Sequence, residues 1–97
     1  MIAAKSSMKD RVAALTDRQR EVLRLASLGC DSLEIAAILG IAHRTAMNHR
    51  ERLMAALGVN KAALLVRIAI KHRVSSLKDR LTLAEKRRSG RRRDGWN

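Results

Sequence analysis

Between Leu15 and Val59, apolar residues recur at intervals of three and four in three short runs, and each run ends at a glycine. The first run opens with a capping box: Thr16 as N-cap and Gln19 three residues on. Val22, Leu25 and Ala26 follow at i, i+3 and i+4, the spacing of one buried helical stripe. Gly29 then supplies a C-terminal stop. A second box pairs Asp31 with Glu34, with Ile35, Ala36 and Leu39 as the buried side and Gly40 as the break. The third run starts near His43. At about 100° per residue, Ala46, Leu53 and Leu57 share one side of this helix. Arg44, Asn48, Glu51 and Ala55 fall on the other, flanked by Met47 and Arg52, and Gly58 closes the helix.

A fourth helix is predicted from about Lys61 to His72, with Ala62, Leu65, Val66 and Ala69 inward. Leu64, Ile68 and Ile70 lie off that face, so the helix is apolar on most sides and calls for a second covering surface. After Val74, Ser76 and Asp79 resemble a cap, and Leu77, Leu81 and Ala84 continue at helical spacing. That pattern predicts a fifth, weaker helix to about Arg88. Residues 1–14 show no clear periodicity before Val12 and are expected to be a flexible leader. The last eleven residues, RRSGRRRDGWN, have nothing to bury and are expected to be disordered. The resulting division is a leader at 1–14, one all-α domain at 15–74, and a basic extension at 75–97 that begins helical.

Composition narrows the function. The chain has 97 residues, no proline, no Phe and no Tyr, which suits one small helical domain with a marginal core. Its net charge of +12 is carried by the domain and the extension alike, which favours a polyanionic partner. The single cysteine, Cys30, cannot form an internal disulfide. Neither a signal peptide nor an apolar run of membrane-spanning length is visible, and a cytoplasmic, nucleoid-associated protein with no membrane partner is expected. His43, His49 and His72 lack companion ligands at zinc-site spacing, and no glycine-rich phosphate loop occurs. The sequence therefore calls for no metal, no cofactor and no enzymatic activity.

Residues 15–74 resemble the DNA-binding domain of the LuxR family, the GerE-type helix-turn-helix regulators. The resemblance runs through Leu15, Thr16, Arg18, Glu21, Val22, Leu23, Leu25 and Gly29 in and after the first helix. It continues through Glu34, Ile35, Ala36 and Leu39, then Ile41, Thr45, Asn48 and His49, and on to Leu57, Gly58, Val59, Val66, Ala69 and Ile70. It implies a four-helix domain in bacterial transcription regulation. The second and third helices would form the helix-turn-helix, with the third entering the major groove and the fourth mediating dimerisation. This chain departs from the family pattern at several places. Ala42 stands where Ser or Thr is usual, and a missing N-cap side chain costs ~1 kcal/mol. Ala46 and Met47 replace a usual Val-Lys pair, and Ala62 replaces an Arg. Arg73 replaces a Gly, which predicts an altered chain reversal after the fourth helix.

The chemistry of the third helix fits base reading. An Asn amide pairs with adenine and an Arg forks onto guanine in the major groove, so Asn48, Arg44 and Arg52 are the candidates there. Met47 is suited to a thymine methyl. Glu51 can accept from cytosine or pair with a neighbouring Arg. Thr45, Arg50 and Lys61 are assigned to phosphate contact, while His49 suits either phosphate contact or packing. Leu64, Ile68 and Lys71 are assigned to a homodimer interface; the alternative is that segment 77–88 covers the two apolar side chains. The expected partners are double-stranded DNA and a second copy of the chain. With Met at the start and only fourteen residues before the module, a standalone regulator is expected. Two other functions fit the sequence less well. One is RNA binding, permitted by the basic tail but short of aromatic stacking platforms. The other is a protein-interaction module docking on the transcription machinery, RNA polymerase included.

Overall fold

The structure, a computed structural model, describes residues 7–90. Six helices and no strand occur among them: α1 (Met8–Ala13), α2 (Asp17–Ser27), α3 (Ser32–Leu39), α4 (His43–Leu57), α5 (Ala62–Lys71) and α6 (Leu83–Ser89). The all-α architecture expected from the sequence is present.

Local chemistry sets the helix ends. At α2, Thr16 Oγ1 accepts from the Gln19 N–H at 3.1 Å while Gln19 Oε1 accepts from the Thr16 N–H at 2.9 Å. Asp31 and Glu34 repeat that exchange at the start of α3, at 2.8 and 3.1 Å. These reciprocal bonds satisfy amides that the first helical turn leaves without partners. α4 starts differently: Ala42 offers no capping side chain, as its identity dictates. α4 ends at Gly58, in the left-handed conformation at φ 71.

The core runs through α1 to α5, and Leu81 joins it just ahead of α6. Leu23, Leu25, Ile35, Leu53, Leu57 and Leu65 are its largest fully enclosed side chains, each contributing roughly 1.5–3 kcal/mol by burial. α2 packs against α4 and α5, and α3 packs against α4 and α6. Cys30 is buried at the α2–α3 corner. In α3 the deeply buried position is Ile38, whereas Leu39 is only half-buried.

Three expectations are corrected by the packing. The supposed leader is structured from Ser7 onward: Ser7 caps α1, and Val12 and Leu15 enter the core. Arg11 donates to the Leu57 carbonyl at 3.1 Å, placing a cation on the C-terminal end of α4, where the helix dipole favours it. Residues 1–6 lie outside the described residues.

Ile68 is the second correction. It is only 9% exposed and belongs to the core, so it cannot serve as an open interface residue. Met8 of α1 shares a hollow with Leu64 and Ile68, and no residue of segment 77–88 lines it.

The third concerns the extension. Its helix begins at Leu83, behind a capping box of Thr82 and Glu85 (2.8 and 3.1 Å), and not after Ser76. Residues 87–90, expected to lack order, finish this helix and its left-handed Gly90 cap. Residues 91–97 lie outside the described residues.

Candidate nucleic-acid interface

The site is built on α4. Ala46, Leu53 and Leu57 are completely buried and fix the rotation of this helix on α2 and α3. Because side chains recur every 3.6 residues, that rotation turns Arg44, Asn48, Glu51 and Arg52 outward, and all four are exposed. Met47, 44% exposed, and Thr45 border the strip on either side. The turn before α4 is set by Gly40, which is left-handed at φ 68, and by an Ile41 amide bond to the Ala36 carbonyl at 3.0 Å. α3 and α4 thus form a fixed pair with one face of α4 open to solvent.

Most of the sequence-selected residues come together on that face. Arg50 does not. It is half-buried and lies with Gly29, Asp31, Ala62 and Val66 at the junction of α2 and α5. On a helical projection Arg50 sits only about 40° from Ala46 (four steps of ~100°), so the wheel itself already placed it beside the core. Lys61 is exposed at the N-cap of α5, away from the α4 strip in sequence and element. Among the described residues no cation is within salt-bridge distance of Glu51. Its carboxylate is therefore unengaged in the strip, and the neighbouring-Arg pairing does not form.

The extension brings further residues to this region that the sequence reading did not select. Arg24, midway along α2, donates to both carboxylate oxygens of Asp79 at 3.0 and 3.2 Å, to Glu85 at 2.8 Å and to the Arg80 carbonyl at 3.0 Å. Ser75 donates to Asp79 at 2.8 Å. Burial raises the pKa values of both acids, but hydrogen bonds outweigh it and leave each below its ordinary value. Those bonds come from Arg24 and Ser75 at Asp79, and from Arg24 and the Thr82 backbone at Glu85. Burial opposes the Arg24 charge too, and its two acidic partners again prevail and raise its pKa. This cluster, with Leu81 in the core, clamps segment 75–85 to α2 and seats α6 against α3.

The backbone geometry and the sequence pattern meet in one comparison. Residues 13–69 match the family of bacterial regulatory proteins of the luxR type, named after GerE, and that match covers more than half of the chain. The chain belongs to the LuxR family. That membership places the domain among the helix-turn-helix domains of DNA-binding transcription regulators.

Two curated transcriptional regulatory proteins align with this domain. The transcriptional regulatory protein MctR of Rhizobium johnstonii is 42% identical over 62 residues, covering 64% of this chain and 29% of that protein. The transcriptional regulatory protein TdiR of Thauera aromatica is 34% identical over 62 residues, covering 64% of this chain and 27% of that protein. The chain thus spans under a third of the length of these relatives. No solved structure matches it. Relative to the LuxR match at 13–69, the Arg24 clamp joins a residue inside the family domain to acids outside it.

Among the described residues, no single helix is long and apolar enough to cross a membrane.

Proposed function

We propose that this LuxR-type domain binds double-stranded DNA with sequence preference, laying α4 in the major groove as a transcription regulator. The observation that carries this is the division of α4. Its Ala46–Leu53–Leu57 side is wholly enclosed, while Arg44, Asn48 and Arg52 stand open on the other. An α-helix with its side chains is about 10–12 Å across, and the major groove is about 12 Å wide, so the exposed strip can reach base edges. Asn48 would read adenine. Arg44 and Arg52 would take guanine, Met47 a thymine methyl and the unengaged Glu51 a cytosine amino group. Thr45 and Lys61 would hold phosphates, as would Arg50 if its guanidinium reaches past the α2–α5 junction.

A second copy of the chain would place a second α4 about one helical turn, or ~34 Å, along the duplex. Leu64, 38% exposed, and the neighbouring Lys71 are the open positions of α5 for that contact.

The test is selection of bound duplexes from a random-sequence pool, followed by the same selection with Asn48→Ala. Enrichment of one sequence by the unsubstituted chain, and loss of preference at an adenine position with Asn48→Ala, is the expected result. A single bidentate pairing contributes roughly 1–3 kcal/mol of discrimination. Failure to enrich any duplex sequence would remove base-specific reading, and an unaltered preference would remove Asn48 from it.

A further inference from the structure

We propose that α6, which lies outside the LuxR match, is a second DNA contact: its C-terminal cations clamp the phosphate backbone beside the groove entered by α4. This rests on the DNA-binding function proposed above and extends it to residues that the family domain does not contain.

Placement carries the inference. Arg88 donates to the Ile38 carbonyl at 3.1 Å, which pins the end of α6 to the last turn of α3. From Ile38 the chain needs only five residue steps to reach His43, the start of α4. Five steps span at most about 18 Å, equivalent to about five base-pair rises of 3.4 Å. The basic end of α6 is therefore held within about one duplex turn, ~34 Å, of the N-terminal half of α4, where Arg44 and Asn48 stand.

Charge and rigidity point the same way. The last turn of α6 carries Lys86, Arg87 and Arg88 in succession. Its one acid, Glu85, is already bound by Arg24. Among the described residues neither Lys86 nor Arg87 forms a salt bridge. Structural roles at this site are thus met by Glu85, Leu81 and Arg88, leaving two adjacent cations with no partner in the fold. The sequence continues directly into Arg91, Arg92 and Arg93. Because α6 is clamped to α2 and α3, its cations are fixed relative to α4 and would meet one flank of the binding site. A loosely tethered charge would attract the whole duplex evenly.

A Lys86→Ala, Arg87→Ala double variant tests this, since Arg87 is exposed, Lys86 is half-buried, and neither takes part in the Arg24 clamp. Affinity for the duplex enriched by the unsubstituted chain is measured between 50 and 200 mM salt, together with a hydroxyl-radical footprint. Loss of two phosphate contacts should lower the salt slope by about 2 and shrink the affinity drop over that range about 12-fold. Sequence preference should stay the same. The footprint should narrow on one flank of each half-site. An unchanged slope and footprint, with specific binding intact, would overturn this inference and leave the proposed function standing. Protection lost evenly across the site would overturn the fixed placement. If the unsubstituted chain binds neither an enriched nor a random duplex, the proposed function and this inference fall together.

Discussion

Arg73 occupies the left-handed region at φ 60, a conformation that costs a non-glycine residue roughly 1–2 kcal/mol. The chain reversal after α5 is nonetheless complete: the Val74 and Ser75 amides both bond the Ala69 carbonyl, at 2.9 and 3.1 Å. The family's usual glycine is thus replaced without loss of the turn, contrary to the altered reversal expected from the sequence. Replacing Arg73 by Gly should relieve this strain and offset the entropy it adds to the unfolded chain. An unfolding free energy from urea titration that is unchanged or raised by up to about 1 kcal/mol is expected, whereas glycine at an ordinary helix position costs that much. A clear loss of stability would show that the Arg73 side chain contributes more than its backbone conformation costs. Gly58 is the opposite case. It is left-handed too, and a Cβ there would push the Arg11 guanidinium off the Leu57 carbonyl, so the backbone conformation favours glycine and the movable Arg11 tip adds to it.

At the scale of elements, the extension depends on ionised carboxylates. Asp79 and Glu85 both titrate below their ordinary values of 3.8 and 4.5 in the folded chain. Their contribution is complete above those values and is lost as pH falls through the lower folded ones. Glu85→Gln keeps the Thr82 capping box but removes one charge from the clamp. The variant should be less stable than the parent at pH 7, and the gap should narrow as pH falls below 4.5, the ordinary value. Urea midpoints above and below that value measure it; a gap that persists in acid would mean the Arg24 ion pair is not its source.

The same clamp marks the limit of what could be read in the chain. Thr16 with Gln19, Asp31 with Glu34, and the glycines that stop the helices act within four residues, so their chemistry is visible in the sequence. Arg24 finds Asp79 and Glu85 across 55 and 61 residues, a pairing that no local pattern announces. The start of α6 was available from Thr82 and Glu85, but Ser76 and Asp79 offered a competing cap. In the structure Asp79 is spent on Arg24. Likewise, the outward strip of α4 follows from its period, while the fate of Ile68 depends on α1, a helix too short to show a period of its own.

For the molecule as a whole, Leu64 is the large apolar side chain that α5 leaves exposed. Leu64→Glu is the clean probe of self-association, because Ile68→Glu would place a charge in the core and unfold the domain. If α5 joins two copies, sedimentation should show a monomer for Leu64→Glu and a dimer for the parent, with the helical signal of both alike. A monomeric parent at the concentrations that bind DNA would remove the two-copy arrangement.

Cys30 bears on how any such assembly should be judged. As the one sulfhydryl in the sequence, and shut inside the α2–α3 corner, it cannot bridge two intact copies without that corner coming apart. A cross-linked pair seen on a non-reducing gel would therefore be a product of opened chains, and only association that persists in reductant would belong to the native form.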